Sequence, residues 1–272
     1  MIPATFDYEA AESVDHALEL LGSAENPKLL AGGQSLLPLM KLRLARPGTL
    51  IDLGGITGLD GVGDGGDHLA IGALTRHHVL EHDPLVQKHC PLLALAASQV
   101  GDRQVRHRGT IGGSLAHADP AGDLPAVALT LDATLVARGP NGERTIPAAE
   151  FFRGFWTTAL APDELLTEVR VPKHGAGCAY LKFRRRSLDW ATVGVAAVVD
   201  GDGARVGLVN MAQQPIRATA VEEAYTDDAA AAAAHADEGT SPVSDTWASG
   251  EFRRHLARVL TERALEEAAS RG

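Results

Sequence analysis

From position 27 to position 75 the chain never runs more than a few residues without a turn. The apolar runs Lys28–Ala31, Thr49–Leu53 and His68–Ile71 are each closed by glycine, proline or polar residues. Runs of that length bounded by such punctuation read as strands, and segments broken this often leave no room for a long helix. Ser13 to Leu21 does have helical spacing, with Val14, Ala17, Leu18 and Leu21 on one side and Ser13 placed as an N-cap. Strands and a helix mixed over so short a stretch predict a compact α+β subdomain.

Beyond Thr75 the pattern turns helical, at His77–Glu81, Pro91–Val100 and Leu124–Leu131. Thr134–Ala137 and Arg144–Ile146 flank Gly139-Pro140-Asn141-Gly142, a hairpin connection. Leu165–Val171 reads as a strand stopped by Pro172, and the slack stretch Lys173–Gly177 marks a candidate domain boundary. After it come strands Ala179–Phe183, Val193–Val199 and Arg205–Met211, the last two joined by the turn Asp200–Gly203. The stretch Asp227 to Ser244 holds an alanine run and then a polar, loop-like end. Phe252–Ala268 is an amphipathic helix with Leu256, Val259, Leu260 and Ala264 on one face.

Charge and cysteines narrow the function. With 35 acidic against 25 basic residues the chain carries a net charge of −10, the wrong sign for nonspecific nucleic-acid binding. No run approaches the ~18 apolar residues of a membrane span. Asp7 and Glu9 stand where a secretion signal would be basic and then apolar, so the expected location is the cytoplasm. Cys90 and Cys178 are the only cysteines, too few for a four-cysteine iron–sulfur cluster or zinc site. If this chain handles electrons, its redox centre is an organic cofactor and any metal cluster sits on another chain.

Two segments could hold a phosphate. In Ala31-Gly32-Gly33-Gln34-Ser35-Leu36, adjacent glycines allow a sharp turn and leave no side chain between the N–H groups and a ligand. Successive N–H groups pointing into one concavity form an anion nest. Thr110-Ile111-Gly112-Gly113-Ser114 repeats the pattern, so a second nest is expected, and two nests could clamp a diphosphate. Asp123 could accept hydrogen bonds from a ribose or, more plainly, cap the helix at Leu124. No Gly-x-Gly-x-x-Gly opens a helix after a strand, and no loop ends in Gly-Lys-Ser/Thr, which weakens Rossmann and ATP readings.

Taken together, Ala31-Gly32-Gly33-Gln34-Ser35-Leu36-Leu37-Pro38 and Arg108-Gly109-Thr110-Ile111-Gly112-Gly113-Ser114-Leu115-Ala116-His117-Ala118-Asp119-Pro120 closely resemble the FAD-binding medium subunit of molybdenum hydroxylases. Leu42–Pro47, Ile51-Asp52-Leu53, Ile71–Thr75 and Tyr180-Leu181-Lys182-Phe183 extend the likeness to about Val199. The resemblance implies an α+β fold of the vanillyl-alcohol oxidase type. Residues 1–176 would bind FAD, in subdomains of about 1–56 and 57–176, and 177–272 would form a small domain with an antiparallel sheet. It further implies that Ala31 to Ser35 and Thr110 to Ser114 contact the pyrophosphate, with Leu36 also in the cofactor site. Asp123 would hold the adenosine ribose, Leu166 would lie against the adenine through its backbone, and Lys182 would approach the flavin ring. A cation at that edge would stabilise the anionic reduced flavin.

The implied function is electron transfer beside a large molybdopterin-binding subunit and a small iron–sulfur subunit. The other reading is an FAD-dependent oxidoreductase acting alone on a small molecule. Histidines at 77, 78, 82, 89, 107 and 117 are set aside as metal ligands, because neighbouring histidines on a helix diverge.

Overall fold

In the computed structural model, which describes residues 2–272, strands Asp7–Ala10 and Pro27–Leu30 both run parallel to Thr49–Asp52, which lies between them. Parallel neighbours require a crossover, and the helix Val14–Ser23 supplies one. Ser13 starts it as expected: its Oγ accepts the His16 N–H at 3.0 Å. Ala17, Ile51, Leu53, Ile56 and Leu59 close a small core beneath.

Five antiparallel strands make the second sheet, in the order Val62–Asp64, His68–Gly72, Leu165–Pro172, Thr134–Gly139, Gly142–Pro147. The register between Leu165–Pro172 and Thr134–Gly139 slips between Leu166 and Glu168. A bulge of this kind turns one residue out of the ladder. Here the Thr167 carbonyl turns to accept the Ala73 N–H at 2.9 Å.

The third sheet is antiparallel, in the order Gly177–Phe183, Val193–Asp200, Gly203–Val209, Ile216–Arg217. Successive side chains along a strand face opposite ways. Val193, Val195 and Ala197 join a core with Leu256, Leu260 and Ala264 of the helix Gly250–Ala269. Ala196 and Val198 face the other way, into the main core with helices Pro91–Ser98 and Asp123–Thr130. Burial on both faces is why Val193–Val199 is an unbroken run of apolar residues and glycine.

Cys90 and Cys178 are both buried free thiols. Burial pushes Cys90 up to about 12 and Cys178 up to about 11, so neither forms a thiolate near neutral pH. Among the described residues no helix is long and apolar enough to cross a membrane. Several helices escape the sequence reading, among them Leu36–Lys41, which tolerates Pro38 in its first turn, Pro84–His89, Arg103–Arg106 and Ile111–His117. Within 227–244 only Ala229–Ala233 is helical, capped by Asp228.

Candidate cofactor site between two glycine loops

The first loop leaves the parallel sheet at Leu30 and turns through Ala31–Ser35 into the helix Leu36–Lys41. Gly33 makes the turn at φ +75°, in the left-handed region that glycine enters without penalty. Among the described residues the N–H groups of Gly32, Gly33, Gln34 and Ser35 donate to no acceptor in the chain. Gln34 is exposed and Ser35 half-buried, so this concavity opens to solvent.

The second loop differs. The Ile111 N–H donates to the Thr75 carbonyl at 2.9 Å and the Gly112 N–H to the Ala73 carbonyl at 2.8 Å. The Ser114 N–H reaches the Thr110 carbonyl at 3.0 Å, and the Gly113 N–H reaches Thr110 Oγ1 at 3.2 Å. The expected second open nest is therefore a capped start of the helix Ile111–His117, with Thr110 at its N-cap. Its amides are already committed, two to the chain that leaves the antiparallel sheet after Gly72 and two to its own cap.

These loops nonetheless converge. A Cβ on Gly32 would lie 2.3 Å from the Arg108 carbonyl oxygen and 2.7 Å from the Gly109 Cα, so the two backbones touch with no space for a side chain. A Cβ on Gly113 would lie 3.5 Å from that of Ala31. Ala31, Gly32, Gly33, Gln34, Ser35 and Leu36 thus face Thr110, Ile111, Gly112, Gly113 and Ser114 across a short gap. Four unpartnered N–H groups beside a rigid wall fit an anionic diphosphate.

His77 braces the wall, a role that sequence reading missed. Its N–H donates to the Gly109 carbonyl at 3.0 Å, and its ring packs so closely on Gly109 that a Cβ there would lie 2.8 Å away. His77 is 4% exposed and, among the described residues, its Nδ1 has no partner. Burial, with the Arg106 charge adding, lowers its pKa to about 4.

Asp123 and Lys182 were expected at opposite ends of the cofactor, at a ribose and at the flavin ring. The structure instead pairs them with each other, Lys182 Nζ to Asp123 Oδ2 at 2.9 Å, with side chains 1% and 5% exposed. The Tyr180 hydroxyl donates to Asp123 Oδ1, and Lys182 also donates to the Gln99 carbonyl at 3.2 Å. A carboxylate this deep is tolerable only when paired and hydrogen-bonded. Burial pushes the Asp123 carboxyl above its usual range while Lys182 and Tyr180 pull the other way. Burial, reinforced by the Asp123 charge, raises the Tyr180 phenol and keeps it a donor. Nor does Asp123 cap its helix: Gly122 holds that position. Leu166 is buried at the edge of the bulge whose next residue, Thr167, anchors Ala73.

An amide cradle between two sheets, with an antiparallel domain packed behind it, defines a dinucleotide-binding α+β subunit. Residues 4–174 match the FAD binding domain in molybdopterin dehydrogenase, and residues 178–268 match the CO dehydrogenase flavoprotein C-terminal domain. The carbon monoxide dehydrogenase medium chain of Hydrogenophaga pseudoflava is 42% identical, over 100% of this chain and 99% of that one. A subunit of the 6-hydroxypseudooxynicotine dehydrogenase complex of Paenarthrobacter nicotinovorans is 40% identical, over 100% and 97%. The solved structure of carbon monoxide dehydrogenase from Hydrogenophaga pseudoflava superposes with a TM-score of 0.96, covering 100% of this chain and 99% of the matched one. The chain belongs to the family of FAD-binding medium subunits of molybdenum hydroxylase-type dehydrogenases, and FAD is its cofactor.

Proposed function

We propose that this chain is the electron-transfer member of a cytoplasmic dehydrogenase, assembled with a large molybdopterin-binding subunit and a small iron–sulfur subunit. The observation that carries the reading is the row of free N–H groups from Gly32 to Ser35, set against a braced second loop. Ala31 to Leu36 hold the pyrophosphate through those amides, and Thr110 to Ser114 form the facing wall. Leu166 presents its backbone to the adenine. Asp123 and Lys182 would serve the cofactor as one buried unit rather than as two independent contacts. FAD held there would supply the redox chemistry by which the assembly passes electrons from the small subunit's iron–sulfur clusters to an external acceptor. With two buried thiols as its only cysteines, the chain offers no cysteine set for a cluster of its own. The names of its relatives, a medium chain and a subunit of a dehydrogenase complex, agree with an assembly in which the other centres sit on partners. Residues 1–176 form the cofactor-holding part and 177–272 the part that backs it.

Purification of the full chain under native conditions, from cells that express it, tests this reading. The expected eluate is yellow and contains two further chains, with molybdenum and iron in fixed ratio to flavin. A flavoprotein that elutes alone and turns over a small molecule without partners would replace this proposal with the stand-alone oxidoreductase.

A further inference from the structure

Away from the amide cradle, three imidazoles and a carboxylate gather where the helix His77–His82 meets the helical turn Arg103–Arg106. His78 and His82 are one helical turn apart, so they share a face, with ring centroids 4.5 Å apart. His107, at the end of the second element, stacks on His78 at 4.0 Å and 19°. One possible ligand atom from each of His78, Glu81 and His82 lies within 4.8 Å of the other two. The divergence expected of neighbouring histidines separates His77, which turns into the core, from His78. It does not separate His78 from His82.

Hydrogen bonding sets the rings up further. His82 Nδ1 lies 2.9 Å from the His78 carbonyl oxygen, and His107 Nδ1 lies 2.7 Å from that of Arg103. A carbonyl only accepts, so Nδ1 carries the hydrogen in both rings and Nε2 keeps its lone pair. This is the arrangement in which proteins hold metal-binding imidazoles, with the second nitrogen tied to a carbonyl or carboxylate. Glu81 is oriented in turn by Arg106, whose Nε lies 2.9 Å from Oε2, leaving Oε1 available.

We propose that His78, Glu81 and His82 bind one divalent transition-metal ion of the zinc or copper class, with His107 stacked against His78. Imidazole and carboxylate ligands together suit that class, and magnesium or calcium would ask for oxygen alone. Tetrahedral zinc with nitrogen ligands at about 2.0–2.1 Å sets ligand atoms about 3.4 Å apart. His78 and Glu81 are half-buried and His82 is exposed, so side chains that already bring a ligand atom each within 4.8 Å have room to close to that spacing.

The test uses the full chain, FAD-loaded and without a histidine tag, titrated with zinc(II) by calorimetry and with copper(II) by electron paramagnetic resonance. One ion per chain at micromolar affinity or tighter is expected, with nitrogen hyperfine structure from bound imidazoles. His82→Gln and His78→Gln should each weaken zinc by about tenfold or more, and His235→Gln, at an exposed site elsewhere, should leave it unchanged. Because His82 is exposed, its variant keeps the fold, which flavin content checks independently. Absence of saturable binding, or affinity unaltered in both His78 and His82 variants, overturns the proposal.

Discussion

Gly32-Gly33-Gln34-Ser35 and Gly112-Gly113-Ser114-Leu115 read almost alike, yet they do opposite work. In the first, the N–H groups stay unclaimed even though Gly32 itself abuts the backbone of Arg108 and Gly109. In the second, the Gly112 and Gly113 amides are already bonded, and glycine is needed because other atoms press on it: a Cβ at Gly112 would lie 2.6 Å from the Ala73 carbonyl oxygen. A phosphate cradle made this way has one open half that binds and one closed half that does not yield. Adjacent glycines alone do not say which half a segment will be. That depends on whether carbonyls elsewhere in the fold reach its amides.

The contrast can be broken by substitution. Gly33→Asp adds a carboxylate to the loop that carries the free amides, its Cβ set against the Leu37 and Leu30 side chains. Like charges about 4 Å apart repel by about 4 kcal/mol at a protein surface, so FAD affinity should fall at least a hundredfold. Strain in the left-handed conformation adds only about 1–2 kcal/mol to the loss of stability. Fluorescence titration of apoprotein with FAD measures the first effect and urea unfolding the second. Retained FAD would show that the open amides are not the binding element. Gly112→Ala should behave in reverse. Its methyl group has to push backbone aside, an overpacking cost of about 2–3 kcal/mol, which appears in urea unfolding of the apoprotein before any cofactor is added. A Gly112→Ala protein of unchanged stability that has lost FAD would erase the distinction between the halves.

A smaller effect sharpens the comparison through pH. His77, against Gly109, has a pKa of about 4 in the folded chain and 6.5 as its ordinary value. Below pH 6.5 the unfolded chain binds the proton and the folded chain resists it, so stability present above that pH drains away as pH falls toward 4. By pH 5 the loss amounts to about 2 kcal/mol. Melting measured from pH 7 to pH 5 should show it, and His77→Leu should flatten that part of the profile. An unchanged profile in the variant would remove His77 as the brace.

Much of this architecture is legible in the sequence because it depends on local pattern. The hairpin around Gly139–Gly142, the apolar strand Val193–Asp200 and the Ser13-capped helix fall within a residue or two of where periodicity and turn chemistry put them. The helix Ile111–His117 was missed because Gly112-Gly113 argues against helix, although Thr110 three residues before Gly113 was a usable capping signal. The Asp123–Lys182 pair was beyond sequence reasoning altogether. Its members are 59 residues apart and meet only because the helix Asp123–Thr130 packs across the third sheet. Each alone resembled a ligand contact, and what identifies the pair is that each is the other's neutralising partner.

Tyr180 and Lys182, which hold Asp123, follow the boundary between the two matched family regions, and the main core runs unbroken from Leu69 to Val209 across that boundary. The seam visible in ancestry is therefore not a seam in the folded object. Cut after residue 176, the first piece would lose the cation that makes its deepest carboxylate tolerable and would bare the apolar flank of the helix Asp123–Thr130. The two matched regions stand or fall as one.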